Sequence, residues 1–303
     1  MSLLQRAIIR TLLYFDIFGH PLNRMELFAF IRLRSTDKEF QDAIDLLIDN
    51  KLIGLESGYY FLINGNSSIL DRTKKLKISR RYLKIARFIA TLIFYHPYVR
   101  SVLVSGSLSK HAYSKKDDID FFVIAEPGRV WICRTLLMLF KKIFLLNSKK
   151  YFCINYFIDS KNLEIPEKNV FTATEIAFLV PVKNRELCKR FFEQNSWVMS
   201  FFPNLIFSLD GCKTYSHPVI KSILEKLLNG RHGDKLDTRL LEIYKKRAIK
   251  KYRKTVTGDF DINFKNQKEV AKHHPNGFQQ IIMDNFNEQI TEFEAVHKTD
   301  LTI

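Results

Sequence analysis

Short apolar segments separated by turn-forming residues place the strongest constraint on how this chain folds. Val102–Val104 ends at a Ser-Gly turn, and Ile119–Ala125 follows after a polar stretch. Both have the apolar run of a buried strand. A third strand is predicted over Tyr151–Ile158, after a helical pattern that runs from Arg129 to Phe144. Strands that alternate with helices in this way predict a folded domain of the α+β class.

The first 66 residues have a different pattern. Helical spacing of apolar residues predicts a helix over Leu3–Phe18, a second helix over Arg24–Arg32 and a third after Thr36. Two short strands, Leu52–Gly54 and Tyr59–Ile63, then flank a turn. Three helices and a hairpin in this order predict a winged helix-turn-helix over residues 1–66.

The remaining chain divides into three parts. Residues 67–96 predict a long basic helix that links two domains, residues 97–168 hold the alternating strands and helices, and residues 169–303 predict a helical carboxy-terminal region. Five helical patterns occur in that last region: Thr174–Val180, Arg185–Phe202, Pro218–Leu228, Leu236–Lys254 and Gly277–Val296.

The amino-acid composition limits the binding partners and the cellular compartment that are expected for this chain. The chain has 303 residues, of which 46% are hydrophobic, so it can bury a core without disulfides or metal. Its 48 basic and 32 acidic residues give a net charge of +16, which favours a polyanionic partner. The four cysteines form no CxxC pair and are expected to be reduced thiols in the cytoplasm. Charged residues interrupt every apolar window, so no transmembrane segment is expected.

The residues that carry chemistry lie at the ends of the first two strands. A Gly106-Ser107 turn that opens a helix lets the backbone approach a phosphate closely, and the hydroxyls of Ser107 and Ser109 add donors. Lys110 is a further candidate phosphate contact. Asp118 and Asp120 flank one apolar residue, so strand alternation points both carboxylates to one face. Two such carboxylates suit Mg²⁺ shared with a triphosphate.

At these residues the chain resembles the nucleotidyltransferase superfamily related to DNA polymerase β. Its signature is hydrophobic-Gly-Ser, a spacer of about ten residues and Asp-hydrophobic-Asp, which Gly106, Ser107, Asp118 and Asp120 match. More narrowly, the chain is similar to a bacterial family that joins such a domain to an N-terminal winged helix. The segments that carry this likeness are Phe15–Phe18 with Pro21-Leu22, Ile154–Phe157, Phe171–Glu175 and Asn195–Trp197 through Pro203-Asn204.

The resemblance implies a small mixed sheet with flanking helices, ATP or another NTP as the donor, and two Mg²⁺ ions. It also implies a third carboxylate on a later strand, but here the matching triplet is Ile154-Asn155-Tyr156. An amide can ligate a metal weakly through its carbonyl oxygen but is not a base. Asn155 is therefore a candidate metal ligand, and Asp159, four residues later on the same predicted face, is the candidate that replaces the missing acid.

The leading hypothesis is a Mg²⁺-dependent nucleotidyltransferase that moves an NMP from an NTP to an acceptor. A small hydroxyl or amino compound, a sugar, a protein side chain and an RNA end are all open as acceptors. The alternative is a catalytically weak module that senses a nucleotide and binds DNA or a protein partner. A third hypothesis is a peripheral membrane protein that uses Trp131–Leu146 or a basic helix.

Two surfaces bear on the partners. The predicted helix Arg24–Arg32 could face a DNA groove, but Phe28, Phe30 and Ile31 make it apolar, which favours a role in protein contact or substrate positioning. Nine basic residues lie between Lys235 and Lys254. This run is either a solvated helix face or a surface for nucleic acid or anionic lipid.

Overall fold

A computed structural model describes residues 1–148, 150–214, 219–253, 260, 264–273 and 277–303 of the chain. The described part belongs to the α+β class, with two separate sheets. Of the residues that the sequence patterns used, Pro218 and Lys254 lie outside it.

The amino-terminal unit contains three helices and a small antiparallel sheet. Its elements are α1 (Leu3–Asp16), β1 (Leu22–Asn23), α2 (Arg24–Phe30), α3 (Asp37–Asp49), β2 (Ile53–Glu56) and β3 (Tyr59–Leu62), with strand order β1-β3-β2. Ser2, Asn23 and Thr36 each cap the helix that follows and form a capping box with its third residue. The three predicted helices and the hairpin are confirmed, whereas the two-residue β1 was not predicted.

A single helix, α4 (Ile69–Phe94), connects this unit to the second sheet. The side chain of Ser68 accepts a hydrogen bond from the backbone N–H of Asp71 and so begins the helix at the predicted place. The long basic helix expected over residues 67–96 is therefore present.

The second sheet has five strands in the order β7-β4-β5-β6-β8. They are β4 (Val99–Ser105), β5 (Asp120–Ala125), β6 (Cys153–Asp159), β7 (Val180–Lys183) and β8 (Val270–Lys272). β5 and β6 are parallel, and the other neighbours are antiparallel. The helices that accompany them are α5 (Gly106–Ser109), α6 (Val130–Phe144), α7 (Val170–Ala177), α8 (Arg185–Gln194), α9 (Val198–Phe201), α10 (Val219–Leu227), α11 (Gly230–Tyr252) and α12 (Phe278–His297).

The helical region expected over residues 169–303 also contains strands that were not predicted. Both edge strands of the sheet, β7 and β8, come from that region. They have four and three residues, too few for a period-two pattern, and Pro181 in β7 is tolerated because an edge strand needs fewer ladder donors. The helix expected over Arg185–Phe202 is also interrupted, since the buried Asn195 uses its side chain to bond the backbone of Leu163 and Ile165.

Each face of the five-stranded sheet is covered by a different set of elements. Alternate residues of β5 divide between the two cores: Phe121 and Val123 face α4, α6 and α11, whereas Phe122 and Ile124 face α7, α8 and the amino-terminal unit. The amino-terminal unit thus shares a core with the sheet. Its rings contact that core directly, as in the stacked pair of Phe30 and Phe178, whose centroids are 4.7 Å apart.

Two expectations that concern the whole chain can be compared with the structure. All four cysteines are free thiols, including Cys188 and Cys212, whose sulfur atoms are 3.9 Å apart. Among the described helices, none combines the length and the apolar composition needed to cross a bilayer.

Candidate functional site

The Gly-Ser turn and the acidic motif meet at one edge of the sheet. β4 ends at Ser105, which pairs with Asp120 at the start of β5. Gly106 follows with a φ of +69°, a conformation that favours glycine. A Cβ atom at Gly106 would overlap the Asp120 carboxylate. The absence of a side chain at Gly106 therefore allows this carboxylate to lie directly against the turn.

Asp120 and Asp118 have different environments. β5 begins at Asp120, whose side chain lies on the same face of the sheet as Phe122. Ile119 is fully buried on the opposite face. Asp118 precedes the strand and is half-buried. Burial raises the pKa of the Asp120 carboxyl from 3.8 to about 6, the neighbouring Cys153 thiol opposes the rise, and the charge of Asp118 adds to it.

The amide of Asn155 lies against the same carboxylate. Its Nδ2 donates a hydrogen bond of 2.7 Å to Oδ1 of Asp120. Its Oδ1 is 3.3 Å from the Cys153 sulfur, which donates to it. The structure thus brings Asn155 to the position expected of a third acidic residue, and the amide there stabilises Asp120 where a carboxylate would repel it.

The loop between the turn and the acidic motif is held by Asp117. Its carboxylate accepts from the Ser107 hydroxyl at 2.9 Å and from the backbone N–H and hydroxyl of Ser114 at 2.9 and 2.8 Å. The Tyr113 hydroxyl also donates to the Asp117 carbonyl at 2.8 Å. Asp117 therefore fixes the loop that carries Asp118, and the Ser107 hydroxyl keeps only its acceptor lone pairs free for other groups.

The other two predicted phosphate contacts have partners within the protein. The Ser109 hydroxyl is buried and donates to the Gly106 carbonyl at 2.9 Å. The Lys110 ammonium lies 2.8 Å from the Glu175 carboxylate and reaches the Gly106 carbonyl at 3.4 Å. Ser109 thus stabilises the turn from inside, while Lys110 is held beside the turn by an ion pair.

Asp159 does not join the other acidic residues. It ends β6 opposite Ala125, whereas Asp120 pairs with Cys153 at the other end of that strand. Four residues of extended chain separate Asp159 from Asn155 by about 13 Å. Its buried Oδ1 accepts from the backbone N–H groups of Lys161 and Asn162, both at 2.9 Å. The expected shared face is wrong, because a register shift between Phe121 and Phe122 leaves Asn155 out of the pairing and places Asp159 beside Ala125, on the opposite face of the sheet from Phe122. Asp159 is therefore separated from the site by its face as well as by distance along the strand, and it holds a turn instead.

A cavity of about 420 Å³ opens in front of Asp120. The amino-terminal unit, the Gly106 turn, β6, α7 and α12 contribute to its wall. The polar side chains around it are His20, Ser105, Ser107, Lys110, Asp120, Asn155, Tyr156, Glu167, Thr172, Thr174, Glu175, Lys272 and Gln279. Aromatic and aliphatic side chains provide most of the remaining wall. Such a mixture is typical of small-molecule pockets.

His20 is a buried polar residue of this wall, with 5% of its surface exposed. Its Nε2 has no hydrogen-bond partner among the residues that the structure describes. Burial, together with the nearby charges of Arg72 and Lys110, lowers the pKa of His20 to about 3. A neutral imidazole nitrogen is thus available at the cavity wall.

Sequence reasoning did not find several residues of this cavity. His20 lies in the turn after α1, Glu175 in α7 and Gln279 in α12, and these elements lie far apart in the sequence. A signal existed for Glu175, since it closes the Phe171–Glu175 segment that carries part of the family likeness. His20 and Gln279 have no pattern around them that points to a shared cavity.

The described residues contain no group of three or more His, Cys, Asp and Glu side chains that is arranged to hold a metal ion. A protein-only cage is thus not present there. Mg²⁺, however, is commonly held by one or two carboxylates with substrate phosphates and water in its other positions. Asp118 and Asp120, with the half-exposed turn beside them, fit that smaller donor set.

No protein family, no curated protein and no solved structure matches the chain. Any function therefore has to be inferred from the geometry of the cavity and of the residues around Asp120.

Proposed function

We propose that this protein is a Mg²⁺-dependent nucleotidyltransferase that transfers an NMP from an NTP, with ATP as the first candidate donor, to a hydroxyl-bearing acceptor. The observation that supports this most strongly is the contact between Gly106 and the Asp120 carboxylate, which joins a helix-opening turn to an acidic motif at the mouth of one cavity. The arrangement of elements supports the nucleotidyltransferase core over residues 97–168, extended by β7 and β8.

Asp118 and Asp120 would hold Mg²⁺ together with phosphate oxygens. When bound, the ion offsets the charge of the phosphates and polarises the reacting phosphoryl group. Because Asn155 donates its amide N–H to Asp120, it contributes no charge to a second metal site. One tightly held ion, rather than two, is therefore the arrangement that this donor set favours.

The position of the Gly106-Ser107 turn indicates on which side of the site the pyrophosphate would leave. The first N–H groups of a helix have no intrahelical acceptor, so the Gly106-Ser107 backbone is suited to the leaving phosphates. The acceptor oxygen forms a bond to the α-phosphorus, the bond from that phosphorus to the bridging oxygen breaks, and pyrophosphate leaves with the electron pair. The acceptor proton passes to water, since the Asn155 amide cannot take it.

The amino-terminal unit has the element order of a winged helix, but its charge does not suit DNA. In that fold the third helix usually enters the groove. The exposed positions of α3 include five acidic residues and one lysine: Asp37, Lys38, Glu39, Asp42, Asp45 and Asp49. An acidic face repels phosphates. We infer that this unit positions substrate, since α1 and the His20 turn form part of the cavity wall.

A second candidate function is polyanion binding through α11. Eight exposed residues of α11 are basic, and Arg253 follows directly after the helix: Arg231, Lys235, Arg239, Lys245, Lys246, Arg247, Lys250 and Lys251. This surface suits a nucleic acid or an anionic membrane as a partner. A nucleotide-sensing module without transfer would use the same surface, and its duplex binding would survive the loss of Asp118 and Asp120.

The transfer proposal is tested by incubating the protein with each α-labelled NTP, Mg²⁺ and representatives of the acceptor classes. Pyrophosphate release and label transfer are measured together. Asp118→Asn and Asp120→Asn should each abolish both signals, whereas Asp42→Asn, a matched change on the exposed face of α3, should leave them intact. Equal transfer by the wild type and either active-site variant contradicts the proposal.

A further inference from the structure

The cavity extends past Asp120 towards the β8 edge of the sheet. Across the strand order, the Gly106 turn follows β4, Asp120 begins β5, and Tyr156 and Lys272 lie on β6 and β8. The part of the wall beyond Asp120, here called the β8-side half, is formed by Tyr156, Glu167, Lys272, Phe278, Gln279 and Ile282. It lies on the opposite side of Asp120 from the Gly106-Ser107 turn.

The position of this half determines which substrate can use it. In phosphoryl transfer the attacking and leaving oxygens lie roughly in line through the reacting phosphorus. If pyrophosphate leaves beside Gly106 and the phosphorus lies at Asp120, the attacking oxygen approaches from the β8-side half. This step rests on the proposed function, because it takes the location of the phosphates from it.

The charges in the β8-side half nearly balance. The Lys265 ammonium forms an ion pair of 2.5 Å with Glu167, and both side chains are mostly buried. Lys272 is close enough to Glu167 to interact with it, and burial lowers the pKa of Lys272. Because Glu167 interacts with Lys272 inside this half and with Lys265 outside the cavity lining, the half offers no surplus of negative charge. A polycationic acceptor such as an amino sugar would therefore be repelled.

Besides the Glu167 carboxylate, whose Oε2 accepts no hydrogen bond, this half holds two neutral buried polar atoms that lack a partner among the described residues. The Tyr156 hydroxyl and the Gln279 Oε1 make no hydrogen bond to any residue of the described part of the chain. An unsatisfied buried polar group costs about 1–3 kcal/mol, so both atoms favour a ligand that supplies partners. A ligand hydroxyl can accept from Tyr156 and donate to Gln279.

The rest of the wall is apolar and partly flat. The Tyr156 ring stacks on Phe122, with centroids 4.9 Å apart and planes inclined by 19°. Ile282 is buried in the cavity wall, and Phe278 is half-exposed at its edge. Aromatic walls favour a ligand ring or another flat apolar body.

We propose that the β8-side half binds the acceptor, and that the acceptor is a small uncharged molecule with an apolar ring and at least two hydroxyl groups. One hydroxyl pairs with Tyr156 and Gln279, and another faces Asp120. The cavity volume of about 420 Å³ lies in the range of small-molecule sites. On this proposal, neither an RNA end nor an amino sugar is the acceptor.

The test uses saturation-transfer NMR on the full chain with three probes: 4-hydroxybenzyl alcohol as the neutral ring diol, the aminoglycoside kanamycin, and the RNA hexauridylate. Wild type should bind the diol, and neither kanamycin nor hexauridylate should displace it from the cavity. Tyr156→Phe should weaken diol binding about fivefold, the loss of one hydrogen bond. Ile282→Trp should fill the space and abolish it, while Ile281→Trp, a matched change at an exposed neighbour, should not.

The proposal is overturned if the diol does not bind, if kanamycin or hexauridylate binds in its place, or if Ile282→Trp binds the diol like wild type. Mg²⁺-dependent binding of inorganic tripolyphosphate is measured on the same proteins. Its loss in Asp118→Asn and its survival in Ile282→Trp test the phosphate site separately. Failure of the acceptor proposal can thus be told apart from failure of the transferase proposal.

Discussion

The Nδ2 of Asn155 donates a 2.7 Å hydrogen bond to Oδ1 of Asp120. An amide therefore occupies the place beside Asp120 where a second carboxylate would create repulsion. This contact has consequences for metal dependence, for pH dependence and for the stability of the unliganded protein.

Replacing Asn155 with Asp should make the protein depend more strongly on Mg²⁺. Two carboxylates at hydrogen-bond distance repel each other and lose the amide donor, so unfolding without metal should become easier by about 1–3 kcal/mol. Thermal unfolding with and without Mg²⁺ measures both effects, and the stabilisation by Mg²⁺ should be larger than in wild type. Asn155→Ala loses the same hydrogen bond without added charge and should not gain this response. An equal Mg²⁺ effect in the two variants would contradict the placement of the ion beside Asp120.

The raised pKa of Asp120 predicts how nucleotide binding depends on pH. Because only the ionised carboxylate ligates Mg²⁺, affinity for the Mg²⁺-nucleotide should rise with pH and reach half of its increase near pH 6. Calorimetric titrations between pH 5 and pH 8, the range in which this carboxyl ionises, measure the change. A binding curve that is flat across this range is the contrary result.

The same carboxyl should affect folding in the opposite direction. Between its usual value of 3.8 and about 6, the folded state holds the Asp120 proton more tightly than the unfolded state does. Its ionisation therefore lowers the free energy of unfolding as pH rises through that window. Asp120→Asn removes this pH-dependent loss of stability. Without ligand, the free energy of unfolding of the variant relative to wild type should therefore rise from pH 4 to pH 6 and then stay constant. Denaturant unfolding across that range measures the difference, and a constant difference would contradict the raised pKa.

Gly106 and Gly128 form a matched pair, since both have a φ of +69°. A side chain at Gly128 meets no atom within 4 Å, so Gly128→Ala should cost only backbone strain, about 1–2 kcal/mol. A side chain at Gly106 would also overlap the Asp120 carboxylate, and this should add about 1–3 kcal/mol. Gly106→Ala alone should lose Mg²⁺-nucleotide binding. Equal losses of stability and binding in the two variants would argue against the close approach at Gly106.

Asp159 offers a test of a stabilising role outside the site. Asp159→Ala removes the acceptor of two backbone N–H groups, so unfolding should become easier by about 1–3 kcal/mol. Because Asp159 lies at the far end of β6, nucleotide affinity of the folded variant should be unchanged. Chemical unfolding and nucleotide titration measure the two quantities. Weaker nucleotide binding with normal stability would instead indicate that Asp159 contributes to the nucleotide site.

Local patterns predicted those parts of the site that depend on neighbouring residues. The spacing of Gly106 and Asp120 and the burial of Ile119 follow from a turn and from strand alternation, which short-range rules describe well. The family likeness of its triplet singled out Asn155, and the structure places its amide against Asp120. Asp159 was misplaced because the bulge at Asn155 interrupts strand alternation, and because alternation does not fix distance along the strand.

The parts that could not be predicted depend on long-range packing. β7 and β8 become strands because they pair with β4 and β6, and their three or four residues have no pattern of their own. The cavity exists because α1 and α12 pack together, as the 5.3 Å contact between the rings of Tyr14 and Phe286 shows. Residues so distant in sequence have no spacing that reveals a common site.

The central claim is that Asp118 and Asp120 bind a nucleotide through Mg²⁺ beside the Gly106 turn. It is tested most directly by thermal unfolding of the wild type and the Asp118→Asn/Asp120→Asn double variant with each NTP, with and without Mg²⁺. We expect stabilisation of the wild type by at least one NTP only when Mg²⁺ is present, and none in the double variant. Absence of stabilisation by any NTP, or equal stabilisation of both proteins, would contradict the account.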